Sequence, residues 1–357
     1  MSDNIKGIES FVRPELTGFV GYAACKSPDD FPGRVIKLDA NENNYGASPR
    51  VREALARFER HHIYPDAAQS ELRRGLAEYT GLSAENIVAG AGSDQLIDLL
   101  IRLFCAPGEE IVNLPPTFAM FSFYAGLQGV RVVSVPRDGH FQIDVAGGKK
   151  AVTATTKLIF IANPNNPTGT LASEDVIQEI LALGVPTVVD EAYYEFTGKT
   201  FASQVGKIPN LMVLRTFSKW AGLAGLRVGY GLFPVRVAGM LHAVRDPYNV
   251  NMAALVAARE SLKDAEFLRE KVRLIVAERA RLYGELEHFS WLKAYPSQAN
   301  FILCKVLRGE AGALQAELEA RGILTRHFSS PGIENCLRFS VGRPEENDIL
   351  LGELKKL

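Results

Sequence analysis

Cysteine is scarce and scattered. Four in 357 residues, Cys25, Cys105, Cys304 and Cys336, stand far apart with no CxxC spacing, which excludes a disulfide framework and a thiolate zinc site. They read as buried or free thiols of a reducing compartment. No HExxH or comparable His/Cys cluster offers a metal site, and His61-His62 reads as a solvated helix end. Net charge is all but missing: 40 Lys and Arg stand against 41 Asp and Glu. Such a balance gives nucleic acid or a membrane surface little to hold. No apolar window reaches a membrane-spanning length free of charges. The N-terminus, with Asp3, Glu9 and Glu15, lacks the apolar core of a signal peptide. Repeats, low-complexity tracts and long linkers are absent too. These absences leave a cytoplasmic globular protein with small-molecule partners.

What is present is apolar mass, 47% of the chain. That suits one large and one smaller domain, with a core that needs no staples. Residues 1–45 read as an arm with little regular structure. Ser48-Pro49 opens a helix to about Arg60, with serine as cap and proline at the first helical position. A second helix covers about 70–79. From Asn86 short apolar runs alternate with helical segments, at 87–89, 111–114, 130–135, 158–162, 187–189, 211–214 and 228–232. They are apolar on successive residues, which predicts strands covered on both faces: a mostly parallel seven-stranded sheet with helices on each side. The helix at about 94–104 is apolar nearly all round and predicts a buried central helix. After Pro247 a long helical pattern runs over 253–287 with a break near Lys263-Asp264. A strand at 300–306, a helix at 311–321, short strands near Leu324 and 337–341 and a last helix from Glu345 follow. The expected fold class is α/β: an arm (1–45), a large domain (46–245) and a smaller α+β C-terminal domain (246–357).

Four polar clusters directly follow four of the parallel-type runs. Gly90-Ala91-Gly92-Ser93-Asp94 follows the first. Asn163-Pro164-Asn165-Asn166-Pro167-Thr168-Gly169 follows 158–162, and Asp190-Glu191-Ala192-Tyr193 follows 187–189. Ser218-Lys219 follows 211–214, with Arg227 eight positions beyond the lysine. Open parallel sheets bind ligands at the carboxyl ends of their strands, so the four clusters converge on one edge. Each has a plain reading alone: a snorkelling lysine, a Ser/Asp helix cap, an aspartate paired with arginine, a core-edge tyrosine, a turn asparagine. Together they divide a different task. Ser93 and Asp94 open the buried helix, where free N–H groups suit a phosphate, and Arg227 can pair with it bidentately. Asp190 ends an apolar strand and needs a buried cation. Tyr193 and Asn166 can donate to a phenolate oxygen. Burial makes Lys219 a nucleophile able to form a Schiff base. That set describes a site for pyridoxal 5′-phosphate.

The residues then show a family likeness over nearly the whole length. The motifs are Lys37-Leu38-Asp39-Ala40-Asn41-Glu42-Asn43, Tyr64-Pro65-Asp66, Gly92-Ser93-Asp94, Pro116-Thr117-Phe118, the stretches 163–169 and 189–193, Thr216-Phe217-Ser218-Lys219, 222–229, 247–251, Ala299-Asn300-Phe301 and Leu337-Arg338. The chain resembles the fold-type I enzymes of the aspartate aminotransferase superfamily, and in its class II the branch acting on histidinol phosphate. The resemblance implies that Lys219 anchors the cofactor, Asp190 meets its pyridine nitrogen, and Tyr193 and Asn166 hold its phenolate oxygen. Ser93, Asp94, Ser218 and Arg227 would bind the phosphate, and Phe118 would stack on the ring. It further implies that Tyr64 reaches the phosphate of a neighbouring subunit, hence a homodimer. Arg338, Arg326 and Tyr22, with Asn166, would meet the substrate. The implied reaction is transfer of the amino group of L-histidinol phosphate to 2-oxoglutarate, giving imidazole acetol phosphate and glutamate, in histidine biosynthesis. An aromatic amino acid aminotransferase or a threonine-phosphate decarboxylase is the alternative on the same scaffold. Trp220-Ala221, Ala91, Gln95 and Asn44 depart from the usual pattern without removing a needed chemical group.

Two nucleotide motifs fail on inspection. Gln95 stands where a dinucleotide loop needs its third glycine. Tyr193 occupies the first glycine of a phosphate loop ending at Gly198-Lys199-Thr200. A non-catalytic dimer would not need Lys219 and Asp190 intact.

Overall fold

The structure, a computed structural model, describes residues 7–31 and 33–357; the first six residues of the expected arm and Pro32 lie outside the described residues. The strands are β1 (Ile36–Lys37), β2 (Ile87–Gly90), β3 (Glu110–Asn113), β4 (Arg131–Ser134), β5 (Thr156–Ala162), β6 (Thr187–Asp190), β7 (Leu211–Thr216), β8 (Gly229–Leu232), β9 (Leu292–Ala294), β10 (Phe301–Val306), β11 (Ile323–Leu324), β12 (Arg326–His327) and β13 (Cys336–Ser340). The helices are α1 (Pro49–Ala56), α2 (Ser70–Thr80), α3 (Gly92–Phe104), α4 (Met120–Leu127), α5 (Val145–Ala151), α6 (Glu174–Leu181), α7 (Val235–Val244), α8 (Met252–Lys263), α9 (Ala265–Leu286), α10 (Ala311–Ala320) and α11 (Pro344–Leu354).

Seven strands form the large sheet in the order β2-β8-β7-β6-β5-β3-β4. Only β8 runs against its neighbours β2 and β7; the other pairings are parallel. The unbroken apolar runs follow from this geometry, because successive side chains point to opposite faces. Along β5, Leu158 and Phe160 enter one apolar layer and Ile159 and Ile161 the other. Met212 and Leu214 of β7 join the first layer, Leu211 and Val213 the second. The first holds α3 and α4 against the sheet, with Phe121 stacked on Phe160 at 4.7 Å. Truncating such a buried phenylalanine to alanine typically costs about 3–5 kcal/mol.

Two elements depart from the sequence expectation. β4 is an edge strand, so Arg131 and Ser134 are exposed and only its two valines pack. α1 has its serine cap, Ser48 Oγ accepting the Val51 N–H at 3.4 Å, but ends at Ala56 and not near Arg60. Beyond it Phe58 turns edge-on to His61, so His61 and His62 lie in a turn and not at a helix end. The long C-terminal pattern breaks at Asp264 as expected.

β12, β13, β10 and β9 form a smaller antiparallel sheet. Among its described residues the arm contains three short 3₁₀ turns and β1. β1 pairs in parallel with β11, Ile36 opposite Ile323, which ties the end of the arm to the C-terminal region. Among the described residues no helix is long and apolar enough to cross a membrane.

Candidate active site

The carboxyl ends of β2, β5, β6 and β7 open into one cavity of about 360 Å³, closed from the other side by β13 and the arm. β7 delivers the lysine. Past Thr216, the Ser218 N–H donates to Thr216 Oγ1 at 3.1 Å, a tight turn that sets Ser218 and Lys219 in the cavity wall. Gly222 permits the chain to leave again. Its φ is +68°, and a Cβ there would stand 2.5 Å from the Gly46 backbone. Lys219 Nζ donates to the Ala40 carbonyl at 2.9 Å and makes no ion pair with any described residue. Burial brings its pKa down to about 8, with Arg338 and Arg227 adding repulsion against the pull of Glu42 and Asp94.

Asp190 closes β6 in the same wall. Burial raises its carboxyl to about 7; Asp94 and Glu191 push the same way, while the Ala192 N–H and Lys219 oppose. Ala192 N–H donates to Oδ1 at 3.0 Å, and among the described residues no arginine pairs with it. The plain reading of Asp190 as half of an Arg pair therefore belongs to its neighbour: Glu191 takes Arg215 at 2.9 Å. Tyr193 is buried, with its ring edge-on to Phe301 at 5.2 Å. Burial pushes its phenol up to about 12.

The start of α3 forms the next wall. Gly92 has φ +77°, and a Cβ on it would meet Arg227 Nη2 at 2.7 Å. Arg227, itself left-handed at φ 53°, pairs with Asp94 at 2.7 Å. On β8, a Cβ at Gly229 would stand 2.5 Å from the Ser93 nitrogen. Glycine is thus required for β8 to pass close behind the helix start. Ser93, Asp94, Ser218 and Arg227 all line the cavity, as does Phe118, held edge-on to Phe121 at 5.6 Å.

From the small sheet comes Arg338, buried on β13. Its Nη1 donates to Asn166 Oδ1 and its Nη2 to the Asp39 carbonyl, both at 2.5 Å, while Nε has no partner. Desolvation lowers its pKa. Asn166 precedes a cis proline, as does Asn163. Tyr22 reaches the cavity from the arm.

Two expected residues are not in the wall. Arg326 stands one layer behind it, with its guanidinium 5.5 Å from the Tyr22 ring and a hydrogen bond to the Ala23 carbonyl at 2.9 Å. Tyr64 is 76% exposed and stacks on Tyr248 at 4.6 Å, outside the cavity of its own chain. Others that sequence reasoning assigned no role are present: Cys25, the Ala40 carbonyl, Asn41 and Glu42. Ala40, Asn41 and Glu42 lie in the motif 37–43, whose length is too short and whose pattern too irregular to reveal which side chains turn inward, and Cys25 lies farther back in the arm.

The profile of a family described as aminotransferase class I and II matches residues 33–354. A protein named histidinol-phosphate aminotransferase from Dehalococcoides mccartyi (strain CBDB1) is 59% identical over 352 residues, 98% of each chain. One of the same name from Roseiflexus castenholzii is 50% identical over 333 residues, 91% of this chain and 90% of that one. Among solved structures, the histidinol-phosphate aminotransferase of Sinorhizobium meliloti in complex with pyridoxal-5′-phosphate superposes with a TM-score of 0.87 at 26% identity, covering 97% of both chains.

Proposed function

The chain belongs to the class I and II aminotransferases, and from that premise we propose that it moves the amino group of L-histidinol phosphate to 2-oxoglutarate by a ping-pong route, in histidine biosynthesis. One observation carries the reading. Lys219, an amine bonded to a carbonyl and not to a carboxylate, shares its cavity with Asp190, a buried carboxyl that no arginine neutralises. An amine that loses its proton easily and a carboxyl lacking a cation are what pyridoxal 5′-phosphate requires, and the remaining donors fit the same group. When bound, it supplies a conjugated ring that accepts the electron pair left when a substrate amine loses its Cα proton.

Each residue then has a task. Backbone N–H groups of Ser93 and Asp94, with Ser218 and Arg227, take the phosphate. Asp190 holds a proton at the ring nitrogen. Asn166 has its Oδ1 engaged by Arg338, which leaves its Nδ2 to donate, beside Tyr193, to the ring oxygen. Phe118 covers one ring face. Lys219 would anchor the group, and its Nζ, freed by the incoming amine, would carry the proton between the substrate's Cα and the cofactor within each half-reaction, as base and then as acid. Arg338 receives the anionic end of the substrate, and Arg326 and Tyr22 serve its phosphate. Tyr64 serves the site of a second subunit, so the enzyme is a homodimer, and its compartment is the cytoplasm. An aromatic amino acid aminotransferase or threonine-phosphate decarboxylase would use the same cofactor residues; the names of the half-identical relatives favour histidinol phosphate.

The test is a screen of amino donors in the first half-reaction: histidinol phosphate, phenylalanine, tyrosine and threonine phosphate. Histidinol phosphate is expected to bleach the visible absorbance of the loaded protein fastest. Rapid bleaching by an unphosphorylated aromatic amino acid alone overturns the substrate. A protein that takes up no pyridoxal phosphate overturns the whole reading. Lys219→Ala is expected to lose the cofactor's visible signature and about 10³-fold or more in rate, the scale of a lost general base.

A further inference from the structure

Asn41 is buried, and its backbone is left-handed at φ 54°, a conformation that asparagine adopts more readily than most residues. Its N–H donates to Ser340 Oγ at 2.8 Å, and that Oγ also reaches Asn41 Oδ1 at 3.2 Å. Asn300 Nδ2 donates to its carbonyl at 2.9 Å. The side-chain Nδ2 donates to Tyr193 Oη at 2.9 Å.

The order of these bonds fixes their direction. A serine hydroxyl has one proton. Ser340 Oγ receives the Asn41 N–H on a lone pair and has the amide oxygen within reach for its own proton. That pins the amide with its NH₂ toward Tyr193, and an amide NH₂ can only donate. Tyr193 Oη must therefore accept, and its own proton is left to point elsewhere. Tyr193 and Asn41 both line the cavity, whereas Ser340 lies behind its wall. We propose that Asn41, oriented by Ser340, is a positioning residue that turns the Tyr193 proton toward the ring oxygen of the bound cofactor. The inference rests on the aminotransferase reading above and adds a relay that begins on the small sheet.

The test titrates the visible absorbance of the cofactor-loaded protein against pH in Asn41→Gly, Asn41→Asp and Ser340→Ala, beside kcat/KM and Tm. Glycine keeps the left-handed backbone free of strain while removing the amide. A donor lost to an anionic ring oxygen raises the pH midpoint, by about half a unit or more in Asn41→Gly. Asn41→Asp moves it further, because a carboxylate accepts and draws the Tyr193 proton to itself. Ser340→Ala shifts it the same way by less, and adds nothing to Asn41→Gly in the double variant, since it acts through Asn41. We expect kcat/KM to fall about tenfold with the amide, the scale of one hydrogen bond. Midpoints equal to the parent's in Asn41→Gly and Ser340→Ala, whatever happens to Tm, make Asn41 merely structural and overturn the inference. If Asn41→Gly does not fold, Ser340→Ala decides alone. A parent that loads no cofactor defeats the functional reading; a parent that loads and titrates while the variants stay with it defeats this inference only.

Discussion

Lys219 and Asp190 are displaced in opposite directions by one cause. Burial disfavours charge on both, so the amine falls to about 8 and the carboxyl rises to about 7. For stability the sign follows from linkage. A carboxyl raised in the folded state contributes fully below its ordinary range near 4 and loses that contribution as pH rises through about 7. Asp190→Asn is therefore expected to raise the Tm of the cofactor-free protein at pH 8, with the gap over the parent narrowing as pH falls toward 4, while it removes transaminase activity. A constant gap across that range, read by calorimetry, contradicts the assignment. Arg326 behaves differently, because it sits behind Tyr22. Arg326→Ala removes a positive charge and the support it gives Tyr22, and is expected to lower kcat/KM more for a phosphorylated donor than for glutamate; equal losses rule out a phosphate role. Both key residues were legible because Asp190 ends an apolar strand and Lys219 closely follows one, where a polar group needs a reason. Asn41 was not, since its inward turn depends on a left-handed backbone and on Ser340 and Asn300, far away in sequence.

Among the elements, the large sheet was readable for a simple reason: strands covered on both faces leave few polar interruptions, such as Asn113 of β3 and Arg215 of β7. The edge strand β4 was found by the same pattern although only two of its residues pack. Where the pattern failed, at the end of α1, the sequence kept good helix formers but the apolar face had already ended with Leu55. The approach of β8 to the start of α3 was not visible in advance, because a glycine in a strand can mean many things. Here Gly229→Ala would force a methyl against the Ser93 nitrogen at 2.5 Å and the Arg215 carbonyl at 2.9 Å. We expect it to cost about 1–3 kcal/mol of stability by overpacking, and to weaken pyridoxal phosphate binding more than Gly184→Ala, where a Cβ meets nothing within 4 Å. Equal cofactor affinity in the two variants, measured by equilibrium dialysis, would falsify this account of the helix start.

At the scale of the whole molecule, the cavity of one chain lacks Tyr64, which is exposed elsewhere on the surface. If sites are shared, a mixture of Lys219→Ala and Tyr64→Ala chains, refolded or exchanged together, forms hybrid dimers with one intact site. Activity per mole of Lys219 is expected to exceed that of Tyr64→Ala alone. No gain, with hybrids verified by mass, would put Tyr64 outside the site. The arm, the least legible part of the sequence, turns out to join a distant part of the chain: Asp39 and Arg338 are 299 positions apart and share a hydrogen bond, and β1 pairs with β11. Consider the chain as it leaves the ribosome, N-terminus first. The large sheet's strands are all synthesised before β11 and β13 exist, yet the carbonyls that meet Lys219 and Arg338 stay unplaced until those last strands emerge. A nascent chain can hold the sheet and its lysine without holding an active site, so catalysis waits for β13, which carries Arg338.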